Sequence, residues 1–294
     1  MNGWDFHILW EAGRAVLSGQ NPYSVEFFFY PLPFAYFMAV LGLFPFGAAF
    51  ALWAIMNLGL LIAAFRRRFI FWLLYVPVLH LFSAGQVGLL FWSLERGINR
   101  SLRGALLGAL MTLQPQAALI LLPWHLFDWL RHDRRTLLYW LGMSLALWGV
   151  PLLWFPTWPQ EWLASTPRAD LIVTLSNTPG IFSLLQIAPG LLVVLAPLAV
   201  GIALWGLTQN KMMSRACIML ASPVGLFYST IYMLGAAPAL LLVPLSIAAA
   251  ALSILANTFI PFLSLPLAVA IWQWRQRKKP LPIREPTVSQ GVAP

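Results

Sequence analysis

The sequence predicts an all-α, polytopic integral membrane protein of about 9–11 transmembrane or half-membrane helices, with interfacial helices at its N-terminus. Three observations carry this reading. Of the 294 residues, 60% are hydrophobic and only 9% are charged, against about 25% charged in a typical soluble domain. Uncharged runs such as 46–65 and 137–155 reach the roughly 20 residues that a bilayer span needs. Each such run has to be helical, because hydrocarbon offers no partner to a loose backbone amide. Finally, the basic residues occur in short clusters between apolar runs, the pattern that sets orientation in a bilayer.

The elements follow in order. Residues 6–18 read as an amphipathic helix: Phe6, Leu9, Trp10, Gly13, Val16 and Leu17 keep i, i+3, i+4 spacing, with His7, Glu11, Arg14 and Ser18 on the other face. Such a helix lies in the interface plane and ends at the loop signal SGQNPY. The stretch 30–45 holds about 13 apolar residues between prolines, short for a span, and reads as a second interfacial helix. Segment 46–65 crosses to Arg66, Arg67 and Arg68. Segment 69–83 runs out and 86–94 runs back, two short helices that break at AGQ (84–86); 104–113 and 117–130 likewise run out and back around a break at QPQ (114–116). Segment 136–155 leads to a long loop, 156–186, and 188–207 returns. Region 216–274 needs an even number of crossings, supplied by two long helices or four short ones, although three equal spans fit the lengths as well. The tail, 275–294, is basic and then Pro-rich, and is expected to be disordered.

Three domains result: an outer-face region at 1–45, a helical bundle at 46–274 and a basic cytoplasmic tail. With the clusters at 66–68, 95–103, 131–135, 211–215 and 275–279 and the tail's Arg284 on the cytoplasmic side, 16 of the 18 Lys and Arg share one face; Arg14 and Arg168 are the exceptions. A net charge of +9 distributed in this way does not point to nucleic acid. Cys217 is the only cysteine, which excludes a disulfide framework and a thiolate zinc site. The pattern of a cleavable signal peptide is missing. The expected location is an integral position in a bacterial cytoplasmic (inner) membrane.

Broken helices with polar breaks point to a cavity on the outer side, since non-helical backbone at membrane depth survives only where protein or water covers it. Asp5 and Glu11 stand before any long apolar run. Asp5 falls just before the periodic pattern, where an N-cap belongs, and Trp4 and Leu9 occupy the positions of a hydrophobic staple. A cap and a catalyst are both open readings of Asp5. Glu11 and Arg14 are i, i+3 neighbours able to pair.

The segments DFHILWEAGRAVLSGQNPY and FFYPLPFAYFMAVLGLFP, then GQVGLLFW, LQPQAALILLP, SNTPGIFSLL and SPVGLFYSTIY, resemble glycosyltransferase family 87, a family of the polytopic GT-C superfamily. The resemblance covers roughly residues 4–235, and its opening block is the most specific part. It implies a transferase that takes a sugar, often mannose, from a polyprenyl-phosphate donor on the outer leaflet and passes it to a glycolipid or glycan. It also implies that an Asp in the first outer loop is the general base, a position held here by Asp5. Members usually carry Lys where this chain has Gln114. They also usually begin with a transmembrane helix before the acidic loop, whereas Met1 here stands four residues before Asp5.

The chemistry suits a lone carboxylate. An inverting transfer needs one base to take the acceptor's proton. A glycosidase needs a second carboxyl group to protonate its sugar leaving group, but a lipid phosphate leaves as a stable anion. That anion calls for a cation or a hydrogen-bond donor. The outer-face candidates are His7, His80, Arg14 and Arg168, each of which also has an ordinary structural reading. Gln86, Gln114 and Gln116 mark the helix breaks and suit sugar hydroxyls or the local backbone. Glu11, Asn177 and Tyr228 complete the donor and acceptor candidates. No cofactor is expected. A divalent metal would have to use His7, Glu11 and Asp5, without an HExxH motif to complete the set. The competing readings are a lipid or solute transporter, for which internal repeats are not apparent, and a catalytically inactive membrane relative.

Overall fold

The computed structural model describes residues 3–165 and 175–277, and among these the chain is helical with no strand. The N-terminal region is a helical hairpin, α1 (Trp4–Leu17) and α2 (Leu32–Gly42). The two helices approach closely at Gly13, where an added Cβ would stand 2.5 Å from the Met38 carbonyl oxygen. Trp10 Nε1 donates to the Phe44 carbonyl at 3.0 Å, anchoring the hairpin to the start of α3 (Phe46–Phe65).

Four helical runs are long and apolar enough to cross a membrane: Phe46–Leu73, Arg134–Leu153, Pro189–Leu207 and Ala239–Ala256. They contain, in turn, α3 with α4 (Phe69–Leu73); then, further along the chain, α10 (Arg134–Gly149), α12 (Leu192–Leu207) and α14 (Ala239–Ala256). Between α3 and α4 the chain makes an elbow at Arg66, whose φ is 52°. The first expected break is present: α5 (Val76–Ala84) and α6 (Gly88–Arg96) meet at 119°. Gly85 takes the left-handed conformation there, φ 77°. The second break separates α7 (Leu102–Met111) from α8 (Pro115–Leu121), which leads into α9 (Pro123–His132). The long loop is partly ordered as helix, with α11 (Trp158–Ser165) at its start. Over 211–277 the structure has α13 (Lys211–Ala221), a 3-10 segment at Phe227–Met233, α14, a 3-10 segment at Ile260–Leu263 and α15 (Ser264–Arg277), and among these α14 is long and apolar enough to cross a membrane. α15 continues to Arg277; the remainder of the tail lies outside the described residues.

The stretch 227–236, the first 3-10 segment and the turn after it, leaves acceptor positions open on alternate carbonyls, and these need donors. Side chains supply them at every second residue. Tyr75 Oη donates to Thr230 O (2.9 Å), Arg215 Nη1 to Tyr232 O (2.9 Å), Trp92 Nε1 to Leu234 O (3.2 Å) and Gln273 Nε2 to Ala236 O (2.6 Å). Below them, at the far end of α6, Glu95 is 1% exposed. Its carboxylate meets Arg215 at 2.6 Å, Lys211 at 2.7 Å and His125 Nε2 at 3.0 Å. One acid thus joins α6, α9 and α13. Arg277 of α15 donates to Gln209, and Trp205 lies against Trp274. The basic residues Lys211, Arg275 and Arg277 therefore gather at one end of the bundle.

Three expectations about α1 are corrected. The helix begins at Trp4, so Asp5 is its second residue; Gly3 occupies the cap position and no side chain caps the helix. Trp4 is 64% exposed and forms no staple over Leu9. Glu11 pairs with His7 at 3.6 Å rather than with Arg14, which lies over the Trp10 ring at 5.0 Å.

Two stability outcomes follow. Glu95→Gln leaves Arg215 buried beside a neutral amide, and breaking a buried ion pair costs roughly 3–5 kcal/mol; denaturation of the purified protein in detergent is expected to shift accordingly. Gly85→Ala places a Cβ 2.4 Å from Phe6 Cβ at a φ that only glycine adopts freely. It is expected to lower thermal stability by about 1–3 kcal/mol and to loosen α1, visible as faster proteolysis within residues 1–20.

Candidate active site

The missing side chain at Gly85 is what seats α1. Phe6 lies directly over the Gly85 backbone and packs in turn against Phe46, Phe50 and Trp53 of α3 at ring-centre distances of 5.5–6.0 Å. The Gly3 amide donates to Ser83 O at 3.1 Å. With Phe6 pinned on the break, its neighbour Asp5 meets the residue that follows Gly85. Gln86 Nε2 donates to the Asp5 carboxylate.

Around this pair the site is mostly aromatic. Gln86 is buried and also hydrogen-bonds the Tyr228 side chain. His80, five residues before Gly85 on the chain, stacks on Tyr228 with ring centres 5.4 Å apart and planes 13° apart, and tilts against Phe227 at 4.9 Å. Tyr232 Oη donates to Gln114 Oε1 at 3.1 Å. Gln86, Gln114, Tyr228 and Tyr232, with Pro77, Leu81, Gly88 and Ile231, line a narrow pocket of about 10 Å³, room for a single water. Tyr30 stands close enough to Asp5, Tyr228 and Tyr232 for their charges to act on it.

Asp5 is half-buried. Burial raises its pKa above the ordinary value, while the hydrogen bond from Gln86 and the charge of His80 pull it back down. Gln86 occupies only part of the carboxylate, since an ionised Asp has about four lone-pair sites. The arrangement is an oriented carboxylate with acceptor capacity to spare, a neighbouring imidazole, and two amides tied to Asp5, Tyr228 and Tyr232.

Five of the residues singled out in the sequence therefore come together: Asp5, His80, Gln86, Gln114 and Tyr228. The others do not join them. His7 and Glu11 pair with each other on α1, and His7 also meets Phe46 edge-on at 5.1 Å. Arg14 is held over Trp10. Gln116 is exposed on α8. Asn177 accepts from Gln186 at 3.4 Å, beside the separate apolar cluster of Leu175, Phe182 and Leu185. Arg168 lies outside the described residues. Asp5, His7 and Glu11 are not assembled as a ligand set, and among the described residues no three His, Cys, Asp or Glu stand close enough to hold a metal. Tyr30 and Tyr232 were not anticipated; both sit in apolar stretches where a tyrosine is unremarked until the fold brings Tyr232 to the cavity and Tyr30 near Asp5 and Tyr228.

Residues 28–230 match the family model of glycosyltransferase family 87. No curated relative and no solved structure matches the chain. The matched stretch includes Tyr30, His80, Gln86, Gln114 and Tyr228 and begins after α1, so Asp5 precedes it. It spans well over half of the 294 residues, and the chain belongs to glycosyltransferase family 87.

Proposed function

We propose that this membrane glycosyltransferase moves a hexose, mannose in the first instance, from a polyprenyl-phosphate donor to a glycolipid or glycan acceptor. The transfer inverts the anomeric centre, with Asp5 as the single general base. The observation that carries this reading is the contact of Gln86 with Asp5 beside His80. It turns one carboxylate into an oriented base beside a pocket whose own lining carries no carboxylate.

In this reading the acceptor hydroxyl lies against the free lone pairs of Asp5. Its oxygen attacks the anomeric carbon as its proton passes to the carboxylate, and the bond to the lipid phosphate breaks. The phosphate departs as an anion and needs no acid. Gln114 accepts from Tyr232 through its oxygen, which leaves its amide N–H groups free to donate. Together with the His80 ring N–H they supply the hydrogen bonds that take the place of the lysine of most members. The raised pKa of Asp5 suits a base, because it brings the group closer to the working pH. Orientation follows from charge: the basic end faces the cytoplasm, and α1, the Gly85 break and the pocket face outward from a bacterial inner membrane.

The test is transfer from a radiolabelled polyprenyl-phosphate sugar in membranes. Asp5→Asn is expected to lose about 10²–10⁴-fold in rate, while Gln116→Ala, on an exposed residue away from the pocket, keeps the wild-type rate. A wild-type rate for Asp5→Asn removes Asp5 from the chemistry. Labelled solute crossing vesicles with no donor consumed favours a transporter instead.

The pH profile gives a second check. Asp5 acts only when ionised, so kcat/KM falls as pH drops through its pKa, and the midpoint is expected above the usual aspartate value of about 4. Gln86→Met removes a hydrogen bond that favours the ionised form. The acid limb is therefore expected to move to still higher pH in that variant.

A further inference from the structure

A second cavity lies at the basic end of the bundle, remote from Asp5. It is a groove of about 580 Å³ between the elbow that follows α3 and the turn that precedes α14. Phe65, Phe71, Trp72 and Trp272 form its walls, and Arg68 and Gln273 are its hydrogen-bonding side chains. Its volume is that of a ligand site, yet its walls are apolar and it lies between helices of a membrane bundle.

Among the described residues the charge on its rim has no counter-ion. Arg66, Arg67 and Arg68 are all exposed. None of them pairs with a carboxylate among the described residues. Gln273 already donates to Ala236 O, so Arg68 is the cation that the groove offers to a ligand. Of the three arginines only Arg68 lines the groove; Arg66 and Arg67 stand outside it. Apolar walls ending in a guanidinium match a molecule with a hydrocarbon chain and an anionic phosphodiester. Basic pockets between helices on the cytoplasmic side of a membrane hold such head groups, and the planar guanidinium binds two phosphate oxygens at once.

We propose that this groove binds one anionic glycerophospholipid, with its phosphodiester on Arg68 and an acyl chain between Phe71, Trp72 and Trp272. This site is separate from the transfer reaction and independent of how Asp5 acts.

The test is native mass spectrometry of the delipidated full-length protein, titrated with phosphatidylglycerol. One tightly retained lipid is expected, with phosphatidylcholine binding markedly weaker. Arg68→Gln is expected to weaken retention about five-fold, and Arg67→Gln, one residue outside the groove, to retain lipid as wild type does. Phosphatidylglycerol brominated on its acyl chains is expected to quench tryptophan fluorescence, less so in Trp272→Phe. Equal losses in the two arginine variants would reduce the effect to diffuse charge and overturn the site. Equal retention of the two lipids would overturn it too, as would displacement by excess inorganic phosphate, which would mark a free-anion site.

Discussion

The contact between Phe6 and the bare backbone of Gly85 is the interaction on which the rest of the site depends. The Asp5 carboxylate and the Gln86 amide come from different parts of the chain, one from an amphipathic helix at the surface and one from a break inside the bundle. Neither helix alone makes a site. A residue without a Cβ lets the aromatic ring of one element settle onto the other, and Asp5 and Gln86 meet as the immediate neighbours of that seat.

The bundle supports this seat from the opposite end. α6 begins two residues after Gln86 and carries Glu95 near its other terminus, so the pocket and the buried ion cluster share one short helix. Arg215 connects them by a second route. It pairs with Glu95 and donates to Tyr232 O, while Tyr232 Oη reaches Gln114 at the pocket. A buried carboxylate surrounded by Lys, Arg and His is poor evidence of net stability. It does, however, define one arrangement of α6, α9 and α13, and that arrangement places the residues lining the pocket.

Much of the architecture was legible in the sequence because hydrophobic runs and glycine or proline breaks act locally. The helix at 46–65 has the bounds its apolar run announces. The breaks at AGQ and QPQ lie where glycine, glutamine and proline interrupt the pattern, and the residues marking them, Gln86 and Gln114, do line the pocket. The polar face of α1 misled for a local reason. His7, Glu11 and Arg14 look like a cluster on a helical wheel, yet their partners are each other and a neighbouring ring. Asp5 looked like a cap because the first apolar residue of the pattern is Phe6, whereas the helix starts at Trp4. Glu95 stood in a row of charges that reads as a cytoplasmic loop. Its partners, His125, Lys211 and Arg215, are too distant along the chain for periodicity to connect them.

The alternating donors along residues 230–236 have a consequence for motion. Four acceptors, on Thr230, Tyr232, Leu234 and Ala236, are held by side chains from four different parts of the chain. A slide of that stretch by one residue would orphan all four at once, in surroundings without water to take over. The four bonds therefore fix a single register for the segment, like a key with four teeth, and Tyr228, whose side chain hydrogen-bonds Gln86, stands at the start of the same segment.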